Sequence, residues 1–453
     1  MSQTKIVVLD DDPTGSQTVH SCLLLTRWDV DTLKAALKDA SPLFFVLTNT
    51  RGMDAAQAAD VTREVVKNLH MALIELKAVG KAINPIMVSR SDSTLRGHYP
   101  VETDVINDEM GPFDAHFLVP AFFEGGRITR DGVHYLLVDG KPVPVHETEF
   151  ARDSVFGYKH SYMPDYVEEK TKGRIPASAV KRFTLDKIQG DALTDLLALH
   201  DNQCCVVDCE QQSDLDQFAA QIRKAAAQGK RFLFRSAASL LTSLAQLPPQ
   251  PVAASSMREY VRNGKPGAVI IGSHVKKTTS QLQELLKQPD ITPIEIDVSL
   301  ISKERDALLK NVLETALMAH QLGKTSAIFT SRVELTFADQ QTRLQFGESV
   351  SAFLMDVVRG LPQDIGFLIS KGGITSNDVL SSGLALHTSR VVGQILAGCS
   401  VVRCPKDHAR YPNLPVVIFP GNVGDEFALA TVYRRLSGLD QHARSDKEQA
   451  ASA

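Results

Sequence analysis

The feature that most constrains the fold is a repeated alternation of short apolar runs with longer helical patterns. In the first half of the chain the apolar runs are KIVVLD, PLFFVLTNT, NPIMVSR, AHFLVP and QCCVVDC. Their apolar residues are continuous, which is typical of strands buried on both faces of a parallel sheet. Between them, AAQAADVTREVVKNLHMALIELKAVG has apolar residues at helical spacing and ends at Gly80. The alternation predicts an α/β fold with a mostly parallel sheet flanked by helices.

Length and one change of composition predict two such domains. A chain of 453 residues exceeds what one hydrophobic core usually organises. Residues 244–267, LAQLPPQPVAASSMREYVRNGKPG, contain three closely spaced prolines and then small and polar residues, which indicates a linker. The α/β pattern then restarts with AVIIGS, PIEIDV, TSAIFTS, IGFLIS, CSVVRCP and PVVIFPGNVGD. We therefore predict domains at 1–245 and 267–436, a linker at 246–266 and a polar tail at 437–453.

One segment of the first domain departs from this alternation. From about Arg127 to Arg182 the sequence is rich in glycine, proline, histidine and aromatic residues. We interpret it as an insertion near the active site rather than as a layer of the core.

Charge and composition exclude several classes of protein. The formal net charge is 49 − 53 = −4, and no block of like charges predicts a nucleic-acid partner. No apolar run reaches the roughly 18 residues of a membrane helix. The first strand begins almost at the amino terminus without the flanks of a secretory signal, so we expect a cytoplasmic protein. Neither the cysteines of NQCCVVDCE nor the histidines show the spacing of a metal site, and the metal ligands stay unknown.

Five loops follow predicted strands and carry reactive or glycine-rich residues: DDDPTGSQ, SRSDSTLRGH, GSHVKKTTSQ, SKGGITSND and FPGNVGD. In open parallel sheets, ligands bind beyond the carboxyl ends of the strands. The shared placement of these loops therefore predicts a ligand site in each domain.

The last three of these loops lie in the second domain and favour nucleotide phosphates. Gly272, Gly372 and Gly421 remove side chains that would block a close approach of the backbone to a phosphate. Any one loop alone is more simply read as an ordinary cap or tight turn. Three of them in one domain favour phosphate binding. The nearby GKT at Gly323–Thr325 is not a P-loop, because Met318 stands where that motif requires glycine.

The loops of the first domain combine carboxylates with arginines. Asp11 and Asp12 follow the first strand, and Arg51 follows the second predicted strand. Within SRSDSTLRGH, an arginine could hold a carboxylate through two hydrogen bonds, and Asp92 could hold hydroxyl groups. The alternative is that Asp92 and Arg96 simply pair with each other on the loop.

Together these loops resemble the four-carbon acid sugar kinase family, which phosphorylates sugar acids such as threonate, erythronate or their 3-oxo forms with ATP. The resemblance rests on the segments DDPTG (11–15), DSTLRG (92–97), PAF (120–122) with GR (126–127), GS (272–273), KGGITS (371–376) and PGNVGD (420–425). They span nearly the whole chain in the family's order. The chain departs from the family pattern at Pro13, along 16–20, and at Ile374, where many members carry an acidic residue.

The resemblance implies an amino-terminal sugar-acid domain, a carboxy-terminal nucleotide domain and an active site in the cleft between them. On this hypothesis the enzyme transfers a phosphoryl group from ATP to a terminal hydroxyl, with Mg²⁺ held partly by the remaining aspartates. Asp12 is the first candidate for the catalytic base and Asp11 the second. The substrate-binding candidates are Arg51, Arg90, Asp92, Ser93 and Arg96. The nucleotide-binding candidates are Ser273, Gly372, Gly373, Ile374, Thr375, Gly421 and Asn422.

Two other functions stay open from the sequence. A two-domain α/β chain also suits an NAD(P)-dependent dehydrogenase of a sugar acid, although G-x-G-x-x-G does not follow the first strand. A non-catalytic sugar-acid sensor is the other alternative. The sequence specifies neither the sugar acid nor the assembly state, for which a homodimer is one option.

Overall fold

The structure, a computed structural model, describes residues 3–273, 275–332, 340–421 and 423–440, without the side chains of residues 340, 341, 343 and 344. The chain divides into two compact units, Met1–Pro249 and Gln250–Ala453, called here the first unit and the second unit.

The first unit is organised around a parallel sheet. Its strands are β1 (Gln3–Asp10), β2 (Cys22–Leu25), β3 (Leu43–Leu47), β4 (Ile83–Arg90), β5 (Ala115–Val119), β6 (Arg127–Arg130), β7 (Val133–Val138), β8 (Lys141–Pro144), β9 (Lys181–Phe183), β10 (Gln203–Val207) and β11 (Phe232–Ser236). Eight of these described strands pair in the order β2-β3-β1-β4-β11-β5-β10-β9, and every pairing is parallel. Their carboxyl ends therefore lie at one edge of the sheet, where the polar loops follow.

Helices cover both faces of this sheet. They are α1 (Val30–Lys38), α2 (Ala55–Ala78), α3 (Val101–Met110), α4 (Met163–Lys170), α5 (Leu185–Gln189), α6 (Leu193–Leu197), α7 (Gln212–Ala227) and α8 (Ser239–Ala245). Leu233 and Phe234 are consecutive in β11 and point to opposite faces. Leu233 belongs to the core formed with α1, α2 and α3. Phe234 stacks on Phe117, which also contacts Phe218 of α7.

The segment that the sequence marks as an insertion contains β6, β7 and β8, which form a separate antiparallel sheet in that order. Two tyrosines from the same segment reach the loop after β4. The Tyr158 hydroxyl donates to the Thr94 carbonyl at 2.7 Å, and the Tyr166 hydroxyl donates to the Leu95 carbonyl at 2.9 Å. The insertion therefore holds a loop at the ligand-binding edge.

The second unit has a mostly parallel sheet. Its strands are β12 (Ala268–Ile271), β13 (Ile291–Ile296), β14 (Thr325–Thr330), β15 (Leu368–Lys371), β16 (Thr388–Leu396), β17 (Cys399–Arg403) and β18 (Pro415–Phe419). The described strands β13-β14-β12-β15-β18 are parallel neighbours, and β17 and β16 follow as antiparallel ones. The loops after β12, β15 and β18 therefore lie side by side.

The helices of the second unit are α9 (Lys276–Leu286), α10 (Arg305–Gln321), α11 (Gln340–Gly360), α12 (Gly373–Asp378) and α13 (Ala428–Ser437), and a π-helical turn, Val379–Gly383, follows α12. Apolar residues of α9 and α13 pack with those of β12, β15, β17 and β18 in one core. Gly323 ends a helix and precedes β14, with φ at +74°, as expected for a helix cap rather than a phosphate-binding loop.

The predicted fold class, α/β with mostly parallel sheets flanked by helices, is confirmed. Strands β2, β9, β11 and β16, and the three strands β6, β7 and β8 of the insertion, were not predicted from the sequence. Across the described residues, no helix combines the length and apolar character needed to cross a membrane.

Candidate functional site

Asp11, Asp12 and Arg51 lie together at the carboxyl edge of the first unit's sheet. The Arg51 guanidinium donates to both carboxylate oxygens of Asp11, through Nη2 to Oδ1 and through Nε to Oδ2 at 3.3 Å. Its Nη1 lies 3.4 Å from Oδ2 of Asp12. The backbone supports this arrangement, since the Arg51 N–H donates to the Asp11 carbonyl at 3.2 Å. One arginine therefore holds two predicted catalytic carboxylates.

The two carboxylates differ in how far they are open to solvent. The Asp11 side chain is 1% exposed and also accepts from Ser91 Oγ at 3.0 Å. The Asp12 side chain is 20% exposed, and Oδ1 accepts from the Thr14 N–H at 2.8 Å and from the Thr14 hydroxyl. Asp11 is thus a buried support, and Asp12 is the carboxylate that a ligand can reach.

Electrostatics keep Asp12 ionised. Burial by itself would raise the pKa of Asp12, but Arg51, Arg90 and the hydrogen bonds from Thr14 hold that pKa below its ordinary value. Asp92 follows the same pattern, because Arg51, Arg96 and Thr94 outweigh burial and lower its pKa. Both carboxylates are therefore negatively charged acceptors at neutral pH.

Asp10 and Arg90 form a second pair beneath this site. Arg90 Nη1 lies 3.2 Å from Asp10 Oδ1, and both side chains are almost fully buried. Asp10 Oδ2 has no hydrogen-bond partner among the described residues. The backbone of Gly15 packs on this carboxyl so closely that a Cβ there would lie 2.0 Å from Oδ2. Burial raises the pKa of Asp10 to about 7, although Arg90 opposes the rise. The Asp10 carboxyl, which Arg90 holds in place, therefore packs directly against the backbone of the loop that follows β1.

The loop after β4 contains Asp92, Ser93 and Arg96. Arg96 Nε donates to Asp92 Oδ2 at 2.7 Å, so these two residues pair with each other, as the simpler alternative expected. The Arg96 guanidinium also lies over the Phe150 ring at 5.0 Å. Ser93 is 7% exposed, and its carbonyl accepts from His134. After Asp11 and Asp12, Asp92 is the next carboxylate whose charge raises the pKa of Arg51. Arg96 instead contacts Phe150 of the insertion.

Arg235 at the end of β11 was missed by the sequence reasoning. Its Nη1 donates to Ser89 Oγ at 2.6 Å and to the Glu102 carboxylate, and its Nη2 donates to Ser91 Oγ at 2.7 Å. Ser91 in turn donates to Asp11, so Arg235 belongs to the same network. The sequence signal that could have revealed Arg235 is the run FLFRS, which is apolar and then ends in polar residues. The run MVSRS, on the neighbouring strand β4, ends in the same way.

A small pocket opens beside this network beyond β4, β5 and β11. Its volume is about 20 Å³, roughly the space of one water molecule. The polar wall is formed by Ser91, Asp92, Arg235 and Ser236. The apolar wall is formed by Leu95, Tyr99, Leu118, Pro120, Met163 and Tyr166. The Ser236 hydroxyl is buried and has no hydrogen-bond partner among the described residues.

In the second unit, three predicted nucleotide-binding residues meet at adjacent loops. A Cβ on Gly272 would lie 2.6 Å from Thr375 Oγ1, so the loop after β12 touches the start of α12. Gly372 has φ at +118°, and a Cβ there would lie 3.4 Å from the Cβ of Ser273. Glycine is needed at Gly372 for its conformation and at Gly272 for the close contact. Ser273, Gly372 and Thr375 are thereby brought together.

The loop after β18 lies at the same carboxyl edge of the second unit's sheet as the loops after β12 and β15. A Cβ on Gly421 would meet no heavy atom within 4 Å, so the backbone there borders open space. Gln281 of α9 fixes the same loop by donating to the carbonyls of Val423 at 3.0 Å and Asp425 at 2.8 Å. Gly373 begins α12, and the Ile374 side chain is 79% exposed. The predicted site residue Asn422 lies outside the described residues.

The two edges suit different ligands. The first offers ionised carboxylates beside a guanidinium, the groups that orient hydroxyls and bind small acids. The second offers glycine backbone with hydroxyl side chains, which suits phosphate groups. Within the residues that the structure describes, no group of three or more His, Cys, Asp or Glu side chains is arranged to hold a metal ion. Mg²⁺ is usually bound by one or two carboxylates together with the phosphates of a nucleotide, and the ionised carboxylates of the first edge are donors of that kind.

Each of the two units matches the model of a known protein family. Residues 6–244 match the family model described as a sugar-binding N-terminal domain. Residues 268–429 match the family model described as a nucleotide-binding C-terminal domain. The two matches together cover most of the chain.

Two curated relatives and one solved structure are similar to parts or most of this chain. A D-erythronate kinase of Heliobacterium modesticaldum is 28% identical over 228 residues, which are 48% of this chain and 47% of the relative. A D-threonate kinase of Bordetella bronchiseptica is 30% identical over 190 residues, 39% of this chain and 44% of the relative. The chain thus spans about half the length of the curated relatives it matches. A crystal structure of a Haemophilus influenzae protein, at 16% identity, covers 95% of this chain and 99% of its own with a TM-score of 0.64, which supports the fold.

Proposed function

The chain belongs to the four-carbon acid sugar kinase family, and from this premise we propose that it transfers a phosphoryl group from ATP to a terminal hydroxyl of a small sugar acid. D-Erythronate and D-threonate are the first substrates to consider, because relatives bear those names. The related 3-oxo acids come next.

One observation carries the proposal: Asp12 is an ionised, partly exposed carboxylate held by Arg51 at the edge of the sugar-binding domain. Phosphoryl transfer needs a group that orients the acceptor hydroxyl and takes its proton, and Asp12 has the position and the charge for this role. Asp11 is less suited, since it is buried and bound by both Arg51 and Ser91.

The remaining groups of the first edge would bind the substrate. Each guanidinium nitrogen of Arg51 already donates to Asp11 or Asp12, and the second N–H groups of Nη1 and Nη2 would bind the carboxylate of the sugar acid. Asp92 would accept hydrogen bonds from sugar hydroxyls, and Ser93 and Ser236 would add further polar contacts. Arg90 and Arg96 would act indirectly, because Asp10 and Asp92 already occupy them.

The glycine-rich edge would bind ATP. Ser273, Gly372, Gly373, Thr375 and Gly421 would line its phosphates, and Ile374 would cover it from the exposed side of α12. When bound, Mg²⁺ would neutralise charge on the ATP phosphates.

The test is a panel of four- to six-carbon sugar acids, assayed by ATP consumption with Mg²⁺ and by phosphate incorporation into the acid. We expect one four-carbon acid to be phosphorylated far faster than its stereoisomers. Thermal stabilisation by ATP with Mg²⁺, and none by NAD, should accompany it. Stabilisation by NAD alone would favour a dehydrogenase, and stabilisation by a sugar acid without ATP consumption would favour a sensor.

A further inference from the structure

Lys371, at the end of β15, is a buried lysine that the proposed mechanism does not use. Its side chain is 0% exposed. Nζ donates to the carbonyls of Pro420 at 2.6 Å and Gly421 at 3.2 Å, and it lies 4.3 Å from the centre of the Phe419 ring. Burying an ammonium is costly, so a lysine is rarely placed here without a use for its charge or its hydrogen bonds.

The hydrogen bonds of Lys371 connect two neighbouring loops of the second unit. Its own backbone leads directly into Gly372 and α12, whereas both carbonyls belong to the loop after the neighbouring strand β18. A backbone hydrogen bond from Gly372 to the Phe419 carbonyl, at 2.9 Å, runs beside it. The ammonium therefore connects two glycine-rich loops, and the second of these loops borders open space at Gly421.

The described groups around the Lys371 ammonium supply little negative charge to offset its positive charge. Burial lowers its pKa to about 7, and the positive charge of Lys277 on α9 lowers it further. The titratable group that could supply a negative charge is the thiol of Cys399 on β17. Burial raises the pKa of the Cys399 thiol, so it stays neutral and supplies no counter-charge. A phosphate bound against Gly421 would approach the ammonium where little water screens the attraction.

We propose that Lys371 is the positioning residue of the nucleotide site: its ammonium fixes the loop of Gly421 against the loop of Gly372, and its charge favours a bound polyphosphate. The inference rests on the proposed function, because it assigns a role within the same nucleotide site.

The chain offers a matched control in Lys5 on β1. Lys5 is also 0% exposed, and its Nζ donates to two backbone carbonyls, those of Asp39, at 2.6 Å, and Ser41. Lys5 belongs to the first unit, and its partners lie in the loop before β3. The variants Lys371→Met and Lys5→Met therefore remove the same kind of interaction from two places.

The experiment measures the affinity of each full-length protein for MgADP by calorimetry, together with KM for ATP and for the sugar acid. For Lys371→Met we expect MgADP affinity to fall about tenfold or more and KM for ATP to rise, with KM for the sugar acid little changed. Lys5→Met should lower the melting temperature and leave MgADP affinity near that of the unmodified protein. Equal MgADP affinity in Lys371→Met and the unmodified protein would overturn the inference.

The unmodified protein gives a second test, which holds even if Lys371→Met does not fold. A bound phosphate raises the pKa of the ammonium, so the protonated form binds more tightly. MgADP affinity should therefore be highest below about pH 7 and fall as the pH rises toward 9. Affinity that stays constant over this range would contradict the role of the charge. If the unmodified protein bound neither MgADP nor MgATP, the proposed function itself would fail.

Discussion

The two candidate ligand-binding edges of this protein differ in the groups that form them. At the edge of the first unit, charged side chains bind one another: Arg51 with Asp11 and Asp12, and Arg90 with Asp10. At the edge of the second unit, the candidate site consists mainly of backbone, at Gly272, Gly372 and Gly421. We therefore expect the first edge to be sensitive to changes of charge, and the second, apart from Lys371, to be sensitive mainly to changes of volume. Variants at each edge test this contrast.

Replacing Asp12 tests the charged edge most directly. In Asp12→Asn we expect turnover to fall by about 10²–10⁴-fold, because the amide cannot take the proton of the acceptor hydroxyl. MgATP affinity should change little, since Asp12 belongs to the other unit. Initial rates of ATP consumption and calorimetric titration would measure the two quantities.

Asp31→Asn is the control, because the Asp31 side chain is 89% exposed. It should keep normal turnover. Turnover in Asp12→Asn close to that of the control would remove Asp12 from the proposed role.

Removing Arg51 should damage both stability and activity. Arg51→Met leaves Asp11 buried without its main partner, and the loss of one partner from a buried ion pair costs about 3 kcal/mol. Chemical denaturation would measure the fall in the free energy of unfolding, and KM for the sugar acid should rise.

Arg130→Met removes an ion pair with Glu210 at a more exposed position, where the Arg130 side chain is 46% exposed. Its unfolding free energy should fall by at most about 1 kcal/mol. Equal losses in the two arginine variants would mean that the Arg51 cluster is no more than an ordinary surface pair.

At the second edge a single added methyl group, with no change of charge, should weaken nucleotide binding. Gly421→Ala meets no neighbouring atom, so the variant should fold with an unchanged melting temperature. The added methyl group would occupy the space proposed for a phosphate, and MgADP affinity should fall about tenfold.

Gly347→Ala in α11 is the matched control, because its Cβ would also meet nothing within 4 Å. It should leave MgADP affinity unchanged. An unaltered affinity in Gly421→Ala would place the nucleotide elsewhere.

The last prediction concerns how pH affects stability through Asp10. Because burial raises its pKa to about 7 in the folded protein, the folded state holds a proton that the unfolded state releases near pH 4. The contribution of Asp10 to stability should therefore decrease between pH 4 and pH 7 and stay constant above that range.

Denaturation of the unmodified protein and of Asp10→Asn at pH 5, 6 and 7.5 would measure this. The stability of Asp10→Asn relative to the unmodified protein should improve by roughly 1 kcal/mol or more across the range. A difference that does not depend on pH would mean that Asp10 ionises at its ordinary pKa in the folded protein.

The fold class could be predicted from the sequence, because continuous apolar runs and helical periodicity are local patterns. The sequence also predicts which loops lie at the carboxyl edges of the sheets, since each follows a strand. Short strands were missed where the apolar run is brief, as in β9, or ends in polar residues, as in β11.

Which arginine pairs with which aspartate could be learned only from the tertiary structure. In the sequence, Arg51, Arg90 and Arg96 look equivalent as carboxylate-binding groups. Strand order and register place Arg90 on Asp10 and Arg51 on Asp11 and Asp12, and they bring the distant Arg235 to Ser91. A local pattern specifies which residues end a strand, whereas long-range pairing decides which of them meet, and the partners decide the charge and freedom of each group.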